Sequence, residues 1–274
     1  MKALRVAALA AAIAVALGFL VLPVVAIFVH VSPGTLVAQL DDPAVVDALV
    51  VSLKTSAVAQ ALVLLLGTPT AYVLASRRFP GRTLLVTLVE LPLVLPPAVA
   101  GIGLLVAFGR LGLLGSPLAA LGLSVSFTQS AVAIAVAFVA GPLYVRQALA
   151  AFEGVDGNVV AAARTLGAGP ARTFFRVVLP LARAGLAAGL ALSFARGLGE
   201  FGATIMFAGS LRGVTQTLPL AIYAEFDVNF DATLAMSALL VLVSSATLLA
   251  LKATALWQPS QRTSRFLFAR SIST

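Results

Sequence analysis

Among the charged side chains inside apolar runs of this sequence, Glu90, Arg196 and Glu200 could do chemistry along a pathway. Arg196 and Glu200 are four residues apart, which places them on one helical face and lets them pair. Charges inside a bilayer are costly and face a bundle interior or water. The pair therefore reads in two ways. It sets the field along a translocation pathway or latches a gate, or it is a structural ion pair satisfied within the protein. Glu90 is a further pathway or interface charge, with Arg196 as a candidate partner. Covalent chemistry has little to draw on. There is one histidine, His30, and no cysteine, so disulfides, thiolate metal sites and cysteine nucleophiles are excluded. The sequence carries no Walker motif, zinc signature or nucleophile elbow. No catalytic residue, metal site or cofactor is expected in this chain, which is not read as an enzyme.

The elements that hold these charges are set by composition. Of 274 residues, 61% are hydrophobic and 10% charged, with mean hydropathy +1.08. Soluble domains carry about 25% charged residues, so lipid is the solvent for most of this surface. Six segments reach the roughly 20 apolar residues a spanning helix needs: 6–29, 49–75, 83–108, 126–149, 181–207 and 233–256. The first follows Lys2 and Arg5 but is longer than a signal-peptide apolar region of about 7–15 residues, so it reads as an uncleaved span. The expected fold class is all-α: a polytopic membrane bundle of about six helices. Its parts are a first span and extracytoplasmic loop (1–45), a main transmembrane unit (46–257) and a short basic tail (258–274) expected to be poorly ordered.

Net charge is +8. Because the basic residues lie between apolar runs, membrane topology explains them and nucleic-acid binding is not expected. Lys2, Arg5, Arg77, Arg78, Arg82, Arg146, Arg164, Arg172, Arg176, Arg183, Lys252, Arg262, Arg265 and Arg270 all fall at one side of the six spans. The other side carries Arg110, Arg212 and Lys54 with Asp41, Asp42, Asp47, Glu225, Asp227 and Asp231. The positive-inside rule puts both termini in the cytoplasm of a multi-pass inner-membrane protein. Trp257, Tyr72 and Tyr144 read as interface anchors, and His30 as an interfacial side chain. Met206 and Met236 read as packing residues.

The longest polar stretch on the basic side, 150–182, reads as two short helices with a break. Asp156 and Asn158 are candidate caps for the first. Gly167 suits a left-handed helix stop, and Pro170 suits the first turn of the second helix. Phe174, Val178 and Leu181 then share a face at i, i+4, i+7. The product is a helical hairpin with an apolar ridge and basic flanks. It either fits a groove on another protein or packs only on its own bundle. In the third span, Pro92, Pro96 and Pro97 interrupt the hydrogen-bond ladder, while Gly101 and Gly103 allow close helix approach. That span is either broken around a cavity or simply kinked. In the fifth, Gly199 and Gly202 thin the helix beside Arg196 and Glu200.

The segment AARTLGAGPARTFFRVVLP (162–180) resembles the cytoplasmic EAA loop of ABC importer permeases. Gly167, Ala168, Phe174, Leu179 and Pro180 match that pattern. Val160 and Ala161 stand where its acidic residue falls. LPLVLPPAVAG (91–101) resembles a stretch of molybdate and tungstate permeases and their sulfate relatives, and GEFGAT (199–204) resembles the molybdate type, with which sulfate permeases share GEFGA. TLPLAIY (217–223) resembles a stretch after their fifth span and is expected to face outward.

The resemblance covers about residues 40–255 and implies the permease subunit of an ATP-driven oxyanion importer. It implies two permease copies forming the pathway, separate ATPase subunits that bind ATP and Mg, and an extracytoplasmic oxyanion-binding protein. It gives the coupling loop to Arg164, Thr165, Leu166, Gly167, Ala168, Phe174, Leu179 and Pro180. Pathway or gate candidates are Glu90, Pro96, Pro97, Gly101, Arg196, Glu200, Gly202 and Thr204. Molybdate or tungstate is the first substrate reading, and sulfate or thiosulfate the second. A self-powered secondary transporter would show internal repeats and paired broken helices; one proline-broken span and no clear repeat argue against it.

Overall fold

The computed structural model describes residues 2–39 and 41–256. Trp257, Arg262, Arg265, Arg270 and the tail 258–274 lie outside the described residues. The described chain is helical throughout: α1 (Lys2–His30), α2 (Pro33–Gln39), α3 (Pro43–Ser76), α4 (Arg82–Val94), α5 (Pro97–Phe108), α6 (Gly115–Ala120), α7 (Gln129–Glu153), α8 (Gly157–Thr165), α9 (Pro170–Thr173), a π-helical turn (Phe174–Val178), α10 (Leu179–Leu198), α11 (Gly202–Ala208), α12 (Leu218–Glu225) and α13 (Phe230–Leu256). Five helices among the described residues are long and apolar enough to cross a membrane, or six if α4 and α5 count as one broken span. The chain is a multi-pass helical membrane bundle.

The bundle is organised around α7, which packs against α3, α10, α11, α4 and α5. Its sequence explains that position. Ala131, Ala135, Ala140 and Ala148 are buried small residues on several faces, interleaved with Val132, Val136 and Val139. Lipid tails are as apolar as these side chains, so close packing rather than water exclusion holds such helices together. On α10, Gly185, Gly189 and Gly197 press against Ala151, Gln147 and Val136 of α7. Tyr144 departs from its expected role as an interface anchor. It is fully buried, and its hydroxyl shares a 2.6 Å hydrogen bond with Thr68 of α3. A buried phenol is stable where its hydroxyl finds a partner. Tyr72 is half-buried against Phe152 and Phe174, at ring distances of 5.5 and 4.6 Å, rather than serving as a free anchor.

Two expected spans are not single helices. The third bends by 113° between α4 and α5. The break falls at Leu95–Pro96, where the extended backbone before proline (ψ 134 at Leu95) leaves the helical region. The fifth stops at Leu198, and residues 199–201 separate it from the short α11. Its N-terminal limit also differs, because helix runs unbroken from Pro170 through the π turn into α10. The second arm of the expected hairpin is thus the beginning of the fifth span. TLPLAIY packs into the bundle at its start. Leu218, Pro219, Leu220 and Ala221 are buried at the start of α12, which packs on α13 and α3. Only its far end, at Tyr223, is well exposed.

Candidate coupling loop and pathway site

The loop between α7 and α10 is built by its caps. The Asp156 carboxylate accepts from the Asn158 amide at 2.9 Å and starts α8. Asp156 is therefore the cap, and Asn158 belongs to the first turn. At the far end the Gly167 amide donates to Arg164 O (2.9 Å) and the Ala168 amide to Ala163 O (3.0 Å). That pair of bonds is a Schellman stop, which needs a left-handed residue at Gly167, where φ is +83. Pro170 opens α9, as its fixed φ favours.

The eight loop residues divide by exposure. Arg164, Thr165, Leu166, Gly167 and Pro180 face out, and Leu166 is 89% exposed. Arg172, Phe175 and Arg176 join them, giving a surface of bare apolar side chains ringed by cations. Ala168, Phe174 and Leu179 are half-buried and seat the loop. Phe174 stacks between Tyr72 and Phe152, so the loop rests on α3 and α7 through an aromatic cluster. The expected face of Phe174, Val178 and Leu181 fails at its last member. The Leu179 amide reaches back five residues to Phe174 O, inserting a π turn. The register slips by one, burying Ala182 and leaving Leu181 54% exposed.

The second group lies where α5 crosses α11. A Cβ at Gly101 would sit 2.6 Å from Ala203 O and 2.7 Å from Met206 Cβ. One at Gly202 would sit 2.7 Å from Pro97 Cβ. The LPPAVAG and GEFGAT stretches thus meet face to face, with backbone on backbone. Pro97 and Gly202 touch directly, and Pro96 supplies the extended residue before α5 (φ −54, ψ 132). Thr204 is fully buried in α11, and its hydroxyl has no partner among the described residues.

Arg196 and Glu200 do pair, at 2.9 Å, but not along one helix. Arg196 lies in the last turn of α10, and Glu200 stands in the break beyond it. The second Glu200 carboxylate oxygen accepts from the Ala203 amide at 2.8 Å, capping α11. A buried carboxylate needs this double satisfaction, and the helix break leaves an amide free to supply half of it. The Arg196 side chain remains 37% exposed, against 1% for that of Glu200. Glu90 does not join this pair. It meets Arg146 of α7 at 3.7 Å.

Sequence reasoning missed several polar groups. Arg82, at the start of α4, pairs with Glu153 at the end of α7 and donates from Nε to Leu74 O at 2.7 Å. Only a 71-residue separation connects that pair, and no local signal marks it. Gln60 of α3 is buried, with both amide atoms unpartnered among the described residues, and lies beside Gly197 of α10. An amide inside an apolar run was its available signal. The Ser52 hydroxyl accepts from the Leu218 amide at 2.7 Å and ties α12 to α3. Arg212 and Asp47, both assigned to the side opposite the loop, face each other at 3.9 Å.

Residues 65–259 match the family model described as "Binding-protein-dependent transport system inner membrane component". The chain is 48% identical over 235 residues to the molybdenum transport system permease protein ModB of Mycobacterium tuberculosis, across 84% of this chain and 88% of that one. It is 45% identical over 178 residues to ModB of Escherichia coli K12, covering 65% and 78% of the two. Among solved structures, a chain of a bacterial alginate ABC transporter, in complex with an alginate pentasaccharide-bound periplasmic protein, superposes with a TM-score of 0.73 at 17% identity, over 92% of this chain and 93% of that one. The chain belongs to the family of binding-protein-dependent transport system inner membrane components.

Proposed function

We propose that this chain is the permease subunit of an ATP-driven molybdate importer in the inner membrane, with both termini and the 157–180 loop on the cytoplasmic side. The observation that carries the reading is the 48% identity to a molybdenum permease across 84% of the chain. The exposed loop surface around Gly167 supports docking of a separate ATPase, whose bound ATP and Mg supply the energy. Two permease copies form the pathway, and an extracytoplasmic oxyanion-binding protein delivers the anion. Tungstate, a tetrahedral dianion like molybdate, is carried by the same path.

In this reading Arg164, Thr165, Leu166 and the Gly167 stop contact the ATPase, while Phe174 passes the movement to α3 and α7. Arg196 offers a positive charge to the anion, held in place by Glu200. Pro96, Pro97, Gly101, Gly202 and Thr204 form the crossing that shifts when access alternates. Cells lacking only this chain are expected to lose high-affinity molybdate uptake and to regain it with the intact gene. Uptake unchanged by the loss contradicts the assignment. Sulfate or thiosulfate is the second reading, because GEFGA is common to both groups. Sulfate uptake lost in place of molybdate uptake would favour it.

A further inference from the structure

The bent α4–α5 unit is held in an unusual way. No residue of α4 is buried, although the helix has 13 residues and is strongly apolar. Beside it lies an open apolar groove of about 470 Å³, lined by Leu66, Leu88, Pro92, Leu104, Phe138 and Pro142 among others. A half-buried stripe that includes Val89 packs on the core beside α7. Two ion pairs add to that contact, both to α7: Arg82 with Glu153 and, at 3.7 Å and more exposed, Glu90 with Arg146. Along α4 these anchors are eight residues apart, about 12 Å, and along α7 seven residues, about 10 Å. The helices thus run side by side in opposite directions between the two ties. Arg82 is bound more firmly, because its Nε also donates to Leu74 O.

Each end of this unit reaches a functional group. Glu153 is the last residue of α7, three positions before the Asp156 cap that starts the loop helix α8. At the other end, past the 113° bend, α5 touches α11 through Gly101 and Gly202 with no room for a Cβ. Glu153 thus joins the loop end of α7 to Arg82, and the bend joins the helix of Arg82 to α5. At the α5–α11 contact displacement is transmitted directly, because tightly packed contacts deform little.

We propose that α4–α5 is a lever carrying loop movement to the α11 segment, with Arg82 and Glu153 as its positioning residues and Glu90–Arg146 as its second tie. The route is additional to the direct path from the loop into α10, and it rests on the importer reading above.

The test uses the whole complex of this chain with its ATPase and binding protein, reconstituted in proteoliposomes. Anion uptake and ATP hydrolysis are measured together in Glu153→Gln, Arg82→Gln and the exchanged Arg82→Glu/Glu153→Arg double variant. The single variants are expected to assemble and hydrolyse ATP, yet to lower uptake per ATP by about fivefold or more, the scale of an ordinary coupling term. The exchanged variant is expected to recover at least half of that loss. Uptake per ATP at the wild-type value in both assembled single variants overturns the lever. So does a low ratio that the exchange leaves unimproved. If either single variant fails to assemble, Arg82→Lys takes its place. It keeps the charge on Glu153, gives up the bond to Leu74, and is expected to stay within twofold of wild type; a fivefold loss there also overturns the proposal. Absence of any ATP-linked uptake in the wild-type complex is a different outcome, because it removes the importer reading itself.

Discussion

One carboxylate, that of Glu200, accepts from two donors: the Arg196 guanidinium at 2.9 Å and the Ala203 amide at 2.8 Å. This changes what a charge exchange does. A plain ion pair survives having its members swapped, but an arginine at position 200 has no acceptor to offer the α11 amide. Arg196→Glu/Glu200→Arg is therefore expected to lose both thermal stability and transport. The lost bond to the α11 amide costs about 0.5–2 kcal/mol, the scale of a helix cap. Retained melting temperature and uptake in the exchanged protein would show that the cap is dispensable. Gly167 is the other decisive residue. Its φ of +83 is closed to proline, so Gly167→Pro is expected to dissolve the stop after α8 and weaken ATPase binding at least tenfold, while membrane insertion stays normal. Both roles were partly legible in the sequence. The glycine and proline punctuation around 167–170 locates the stop, because φ preferences are local. The i, i+4 spacing gives the Arg196–Glu200 pair. It does not give the cap, because the helix break between them depends on where α11 is held by α5.

The elements obey the apolar pattern until backbone chemistry intervenes. α1, α3, α7 and α13 fall close to the expected spans, since long apolar runs admit one solution in lipid. The failures all lie at proline, glycine or π-helical positions: the bend at Leu95–Pro96, the stop at Leu198, and the one-residue slip after Phe174 that exposes Leu181. Periodicity assumes one helical pitch and is blind to a π turn. The α5–α11 crossing was legible only as two separate motifs, because their contact joins residues about a hundred positions apart. Its tightness makes a prediction with an internal control. Gly101→Ala puts a methyl 2.6 Å from Ala203 O, whereas a methyl at Gly103 meets nothing within 4 Å. Gly101→Ala is expected to destabilise the detergent-solubilised protein by about 1–3 kcal/mol, the usual cost of overpacking. Gly103→Ala is expected to leave it unchanged or slightly firmer, since alanine favours helix. Thermal unfolding of the two variants side by side decides it; equal behaviour would mean that the crossing is looser than drawn.

At the scale of the molecule, the two ends of the bundle differ in charge as the loops do. Arg212 faces Asp47 at one end. The arginines of the loop and of the α3–α4 turn gather at the other. Because the native chain has no cysteine, single cysteines report orientation without background. Cysteines at Arg78 and Arg110 are expected to be labelled from opposite sides by an impermeant maleimide, with position 78 reached only from the cytoplasm. Labelling of both from one side would overturn the topology. An apolar bundle with an exposed loop that carries Arg164, Arg172 and Arg176 fits the proposal of a subunit driven from outside. The most direct measurement of that claim is molybdate uptake into proteoliposomes holding this chain with its ATPase and binding protein, with ATP present or replaced by a non-hydrolysable analogue. Uptake is expected only with hydrolysable ATP and with all three components. Uptake that persists with the analogue, or without the ATPase, would contradict the account.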